Sequence, residues 1–267
     1  MTFDSGFGGL SVLRHLVKEL PDHNHFYVTD LEAFPYGEWE AGALKQHLLN
    51  TIGQVIEVHN PALVTIACNT ASTLVLSELR ERHAIPFVGT VPAVKPAAEI
   101  TKTGLISVLA TPATVARDYT HDLIDRFADG VSVTCIGAPR LAKLAEDWLK
   151  TATLDEEAMV QDCASAFIDN GEGQRTDTIV LACTHYPLLS EALARTAPWP
   201  VRWIDPGPAI ARHAVTVVRE SKIVEGSGEL RVDAGRDIPH ENIRVWLKRA
   251  GIDLDRLRCL DNETGIS

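Results

Sequence analysis

Two short strings constrain this chain more than anything else in it: Ala67-Cys68-Asn69-Thr70-Ala71-Ser72 and Ala182-Cys183-Thr184-His185-Tyr186-Pro187. Each follows an apolar run of strand length, residues 62–66 and 178–181, and each precedes a stretch with helical character. A strand that ends in a cysteine and passes into a helix is therefore used twice. Two cysteines at equivalent strand ends can face each other across one cleft. Opposed thiols are the equipment for moving a proton from one face of a carbon atom to the other.

The rest of the chain alternates in the same way, which argues for α/β architecture with mainly parallel sheets. Strands are expected at 26–28, 63–67 and 87–88, then at 105–109, 131–136, 179–182 and 201–204. Helices are expected at 44–59, 72–83, 113–127, 141–149, 156–168 and 240–250. In the first series a strand ends in Asp4-Ser5-Gly6 and a later one in Cys68-Asn69-Thr70. In the second, Ala110-Thr111-Pro112-Ala113-Thr114 and Cys183-Thr184-His185 take those places. Two similar domains related by a pseudo-two-fold axis explain this pairing. The turn-like segments Thr90-Val91-Pro92 and Asp205-Pro206-Gly207-Pro208 bound the second series. The expected domains are residues 1–91 with 208–267, a discontinuous first domain, and residues 92–207.

Composition excludes some roles. The 267 residues are 45% hydrophobic and 23% charged, enough to bury a core without staples. A net charge of −11 argues against nucleic acid or an anionic membrane as partner. No run approaches ~18 apolar residues, so no membrane-spanning helix is expected. The opening Met-Thr-Phe-Asp-Ser-Gly lacks the charged and apolar regions of a signal peptide. Five cysteines, an odd number with no C-x-x-C, fit a reducing cytoplasm better than a disulfide framework.

Ligands of open α/β sheets bind beyond the carboxyl ends of the strands, where both cysteine strings fall. A helix N-terminus just after a cysteine favours its thiolate over the ordinary thiol of pKa ~8.5. Free cysteine is most often an inert core residue, and that reading suits Cys135, Cys163 and Cys259. The polar neighbours of Cys68 and Cys183 point instead to function. Cys183-Thr184-His185 is not a zinc-finger spacing, and no second ligand pair accompanies it. His185 suits an acid–base partner that tunes Cys183 or a ligand ammonium. The remaining histidines read as surface or capping residues.

Asp4-Ser5-Gly6-Phe7-Gly8-Gly9 offers a carboxylate, a hydroxyl and flexible amides at a helix start. It is not a dinucleotide fingerprint, because Ser11 stands at the third glycine position and no full strand precedes it. Pro35-Tyr36-Gly37 is a turn signal. None of the four blocks Asp4–Gly9, Pro35–Gly37, Cys68–Ser72 and Cys183–Tyr186 holds Lys or Arg, so a bound carboxylate must rely on hydroxyls, amides and helix N-termini. The same lack leaves no Schiff-base lysine.

With these residues in view, the chain resembles the glutamate racemases of the aspartate/glutamate racemase superfamily. The resemblance rests on Phe3-Asp4-Ser5-Gly6-Phe7-Gly8-Gly9-Leu10, Pro35-Tyr36-Gly37, Ala67-Cys68-Asn69-Thr70-Ala71-Ser72, Ala110-Thr111-Pro112-Ala113-Thr114 and Ala182-Cys183-Thr184-His185-Tyr186-Pro187-Leu188-Leu189. It runs in order from Phe3 to Gly207. It implies two flavodoxin-like domains with glutamate bound between them, no cofactor and no metal, and D-glutamate made for peptidoglycan. Cys68 and Cys183 would be the catalytic bases, acting on the D and L enantiomers respectively. Asp4 and His185 match assisting residues, and Glu146 resembles a glutamate on the second cysteine's side. Ser5, Pro35, Tyr36, Gly37, Asn69, Thr70 and Thr184 match substrate contacts, with Asp4, Cys68, Cys183 and His185 also at the substrate. A cytoplasmic homodimer is expected.

The chain departs from the family pattern in a short first strand, in Thr29, and in Glu38-Trp39-Glu40 after Pro-Tyr-Gly. No activation by cell-wall precursors is expected. The rival readings are a sister racemase for aspartate or a hydantoin, a non-catalytic binder and a thiol redox protein.

Overall fold

The structure is a computed structural model describing residues 1–234 and 240–252. It divides into two compact units. One comprises Met1–Thr90 with the described residues from Gly207 onward, the other Val91–Pro206.

The first unit begins β1 (Thr2–Asp4), α1 (Leu10–Glu19), β2 (His25–Thr29), α2 (Ala41–His59), β3 (Val64–Ile66), α3 (Asn69–Arg82) and β4 (Phe87–Gly89). Two short 3-10 turns, Leu31–Ala33 and Tyr36–Glu38, lie between β2 and α2. The second unit runs α4 (Val94–Ile100), β5 (Leu105–Ala110), α5 (Pro112–Val115), α6 (Asp118–Phe127), β6 (Ser132–Gly137), α7 (Leu141–Thr151), α8 (Glu156–Cys163), β7 (Thr178–Ala182), α9 (Ser190–Thr196) and β8 (Arg202–Ile204). The chain then supplies α10 (Gly207–Glu220), β9 (Leu230–Asp233) and α11 (His240–Arg249) to the first unit.

Both sheets are parallel, with orders β4-β3-β1-β2-β9 and β6-β5-β7-β8. They follow one plan. β1 lies between β2 and β3 with β4 outside, as β5 lies between β6 and β7 with β8 outside. This is the flavodoxin-like doubly wound order. Cys68 follows β3 and Cys183 follows β7, so the two thiols hold equivalent topological positions.

The apolar runs are strands buried on both faces. Every residue of β1, β3 and β7 is buried, which is why they read as continuous runs without alternation. The helices cover them with one face each. Leu44, Leu48, Ile52 and Val55 recur along α2 at helical spacing and are fully buried. Each contributes about 1.5–3 kcal/mol by leaving water. Glu40 caps α2 by accepting from the Ala43 N–H at 2.9 Å, and Asn60 ends it in the left-handed region at φ 41°. Gly9, before α1, has no room for a side chain. A Cβ there would lie 2.8 Å from Tyr27 Oη and 2.9 Å from Asp4 Cβ.

Three expectations need correction. The stretch 113–127 is two helices, because Thr114's carbonyl accepts from Arg117 N–H and Thr120 Oγ1 and so leaves the α-helical ladder. The helix expected over 156–168 ends at Cys163 and gives way to a 3-10 turn, where Ser107 Oγ donates to the Ala166 carbonyl. No α-helix starts directly after Cys183. Pro187 has no N–H for the Cys183 carbonyl, so Tyr186 N–H closes a tighter turn on that oxygen at 3.1 Å. Among the described residues no helix is long and apolar enough to cross a membrane.

Candidate active site

In the first unit, sheet register gathers three chain segments. Phe3 pairs with Val28 on one side and Ile66 on the other. The carboxyl end of β1, with Asp4 and Ser5, is thus flanked by the end of β2 and by Cys68. Asp4 is fully buried, and its Oδ2 accepts from the Gly9 N–H at 2.5 Å, tying the carboxylate to the head of α1. Ser5 Oγ lies 3.5 Å from the other oxygen. Below Cys68, Ser72 Oγ and Thr90 Oγ1 both donate to the Ile66 carbonyl, at 3.0 and 2.8 Å. Ser72 also accepts from the Thr90 N–H. These bonds fix the strand end that carries the thiol.

Cys68 is 6% exposed and is the N-cap residue of α3, at the positive end of that helix. Asn69 and Thr70 open the helix and are buried. The Asn69 side-chain amide makes no hydrogen bond through either its nitrogen or its oxygen. An unsatisfied buried amide is destabilising by about 1–3 kcal/mol, so it marks a place prepared for a polar ligand. Tyr36, flanked by Pro35 and Gly37, packs in the same apolar cluster as Cys68. Burial, then Asp30, then the charges of Cys68 and Asp4 hold its pKa well above 10, so it is a hydroxyl donor.

In the second unit, Cys183 is 7% exposed, and Thr184 and His185 are buried beside it in sequence. His185 Nδ1 lies 3.9 Å from Cys183 Sγ, and its Nε2 is 3.0 Å from Glu146 Oε2. Glu146 projects from α7, is 2% exposed, and pairs through Oε1 with Lys150 Nζ at 3.3 Å. Burial pulls the His185 pKa down, but bonds and charges from Cys183 and Glu146 outweigh it and hold the imidazole well above its ordinary value. The imidazole thus sits buried between a thiol and a carboxylate, where its protonated form is favoured and can supply a proton.

The other described cysteines lack such surroundings. Burial, with Asp162 nearby, pushes the Cys163 thiol up to about 12, and burial raises Cys135 as well. Cys259 lies outside the described residues. The first unit thus assembles Asp4, Ser5, Tyr36, Cys68, Asn69 and Thr70, and the second Glu146, Cys183, Thr184 and His185. Sequence reasoning passed over Asp30 and His47. Asp30 directly follows β2, a position that strand-end reasoning can find. His47 sits mid-helix and has no local signal. Among the described residues no group of three or more His, Cys, Asp or Glu side chains is arranged to hold a metal ion.

Comparisons with known proteins point to one family. The family model for Asp/Glu/Hydantoin racemase matches residues 8–214. A glutamate racemase of Mesorhizobium japonicum is 53% identical over 219 residues, 82% of this chain and 83% of that relative. A glutamate racemase of Brucella anthropi is 50% identical over 226 residues, 84% of this chain and 81% of its own length. The crystal structure of Escherichia coli glutamate racemase, in complex with L-glutamate and activator UDP-MurNAc-Ala, superposes with a TM-score of 0.83. Its identity is 36%, covering 94% of this chain and 95% of that one.

Proposed function

This chain belongs to the Asp/Glu/hydantoin racemase family, among the glutamate racemases, and we propose that it interconverts L- and D-glutamate by proton transfer between Cys68 and Cys183. It is an isomerase, and the L-glutamate bound to the Escherichia coli relative supports the choice of substrate. From D-glutamate, the Cys68 thiolate takes the α-proton, and the Cys183 thiol then gives its own proton to the opposite face. From L-glutamate the roles reverse. Each turnover leaves the two sulfurs with their protonation states exchanged.

The observation that carries this reading is duplication. Two parallel sheets of one plan each end, at the same topological position, in a nearly buried thiol set among polar groups. General acid–base transfer supplies about 10²–10⁴-fold. The α-proton of an amino acid is so weakly acidic that more is needed. Donors aimed at the substrate carboxylate are each worth about 10²–10³-fold, and Ser5, Asn69, Thr70, Thr184 and helix amides fill that role. Pro35, Tyr36 and Gly37 complete the substrate contacts. Asp4 and the His185–Glu146 pair assist the nearer thiol. The four blocks hold no lysine, so the reading involves no Schiff base, and it calls for neither cofactor nor metal. In the cell this activity supplies D-glutamate to peptidoglycan from a cytoplasmic homodimer.

Incubation with L-glutamate in D₂O tests the proposal. Optical rotation should vanish while solvent deuterium enters the α position of the product. Racemisation without deuterium entry, or binding without racemisation, would overturn it. The same assay with aspartate and hydantoins separates the sister activities.

A further inference from the structure

The His185–Glu146 pair behind Cys183 has a counterpart in the first unit. His47 Nε2, on α2, donates to Asp30 Oδ2 at 2.6 Å, and Tyr36 Oη donates to the same oxygen at 2.6 Å. Asp30 is itself anchored, its N–H bonding the Asp4 carbonyl at 2.9 Å. Asp30 therefore ties three parts together: its Oδ2 joins α2 to a tyrosine that packs in the Cys68 cluster, and its backbone N–H holds it to the end of β1. Trp39 packs beside the arrangement. Its ring lies 5.2 Å from that of His47 at 30°, and its Nε1 donates to the Ala33 carbonyl at 3.0 Å. Asp30 and Glu146 both follow corresponding strands of the shared plan, Asp30 directly after β2 and Glu146 farther on, in the helix after β6.

We propose that His47 is a positioning residue for the Cys68 half of the reaction, acting through Asp30 to fix Tyr36 and the Pro35-Tyr36-Gly37 turn against that thiol. The inference rests on the two-thiol reading above. His47 touches neither sulfur. Its work is to hold the Asp30 carboxylate in the one orientation that also accepts from Tyr36. Without it the carboxylate can turn toward solvent, and Tyr36 loses a fixed acceptor. Displacing groups around a reacting centre by about 1 Å lowers rates by up to about 10²-fold.

The test uses the His47→Ala and His47→Gln variants of the full chain. The enantiomers have equal free energies, so kcat/KM must fall by the same factor in both directions, and rate alone cannot locate the defect. Isotope effects can. With α-deuterated substrates, slowing the Cys68 step raises the deuterium effect from D-glutamate toward its intrinsic limit. It also lowers the effect from L-glutamate, because the Cys183 step ceases to limit. His47→Ala should reduce kcat/KM about ten- to hundredfold with this opposed pair of shifts. His47→Gln, whose amide donates from nearly the same place, should recover most of the loss. Isotope effects that move together or not at all, or a glutamine variant as impaired as the alanine one, would overturn the inference alone. Wild-type racemisation with no solvent deuterium in the product would overturn the two-thiol reading and this inference with it.

Discussion

Replacing Glu146 by Gln keeps the shape of the second half-site and removes one charge. The carboxylate lies 3.0 Å from His185 Nε2, and both residues are almost wholly buried. At an effective dielectric of about 20, opposite charges at that distance attract by about 5 kcal/mol before desolvation. After desolvation, a hydrogen bond to a charged group is worth about 1.5–3 kcal/mol. Losing that charge lowers the His185 pKa from its raised value. Lys150, the other partner of Glu146, is exposed enough to remain solvated. Because the folded-state pKa of His185 is raised, its stabilising contribution is complete below the unfolded value of about 6.5. It disappears as pH rises through the folded value. In Glu146→Gln that alkaline loss should begin at lower pH and be smaller. The assay is NMR titration of the imidazole, paired with unfolding measured across the same pH range. With His185 less readily protonated, Cys183 loses part of its cationic partner, and kcat/KM should drop about ten- to hundredfold equally in both directions. An unchanged His185 titration would refute the reasoning, whatever happens to the rate.

Two further outcomes follow from buried polar groups. Asn69→Ala should raise the melting temperature while lowering kcat/KM for glutamate, since the amide has no partner in the fold and is proposed to bind substrate. A less stable variant with unaltered kinetics would contradict that. Burial lowers the His25 pKa to about 4, against its bond to the Leu20 carbonyl. The folded protein thus takes up this proton later than the unfolded chain on acidification. Stability should fall as pH drops from about 6.5 toward 4, by at most about 3 kcal/mol from this residue. His25→Gln should flatten that part of a urea-unfolding series, and an unchanged slope would count against it.

What the sequence revealed, and what it hid, follows from the range of the interactions. The strands around Cys68 and Cys183 are legible because burial on both faces leaves continuous apolar runs. The helix after Cys68 is legible from its polar start and periodicity. The turn after Cys183 is not, because one proline removes the N–H that an α-helix needs. β9 escapes notice for another reason. Its pairing with β2 spans some two hundred residues, and Asn24 Oδ1 holds its approach by accepting from the Ser227 and Glu229 N–H groups. Glu146 came to light only through resemblance, and His47 not at all. Each is one polar residue on an ordinary helix until a distant strand end brings it a partner.

The most direct measurement uses Cys68→Ala and Cys183→Ala with the two enantiomers of a glutamate bearing chloride on the β-carbon. Loss of chloride needs only one base: a thiolate takes the α-proton, the carbanion's electron pair forms the new double bond, and chloride leaves. Neither variant should racemise glutamate, since each lacks a partner for one proton transfer. Cys68→Ala should still release chloride from the L form and Cys183→Ala from the D form. Equal enantiomer preference in the two variants, or near wild-type racemisation by either, would contradict the opposed-thiol account.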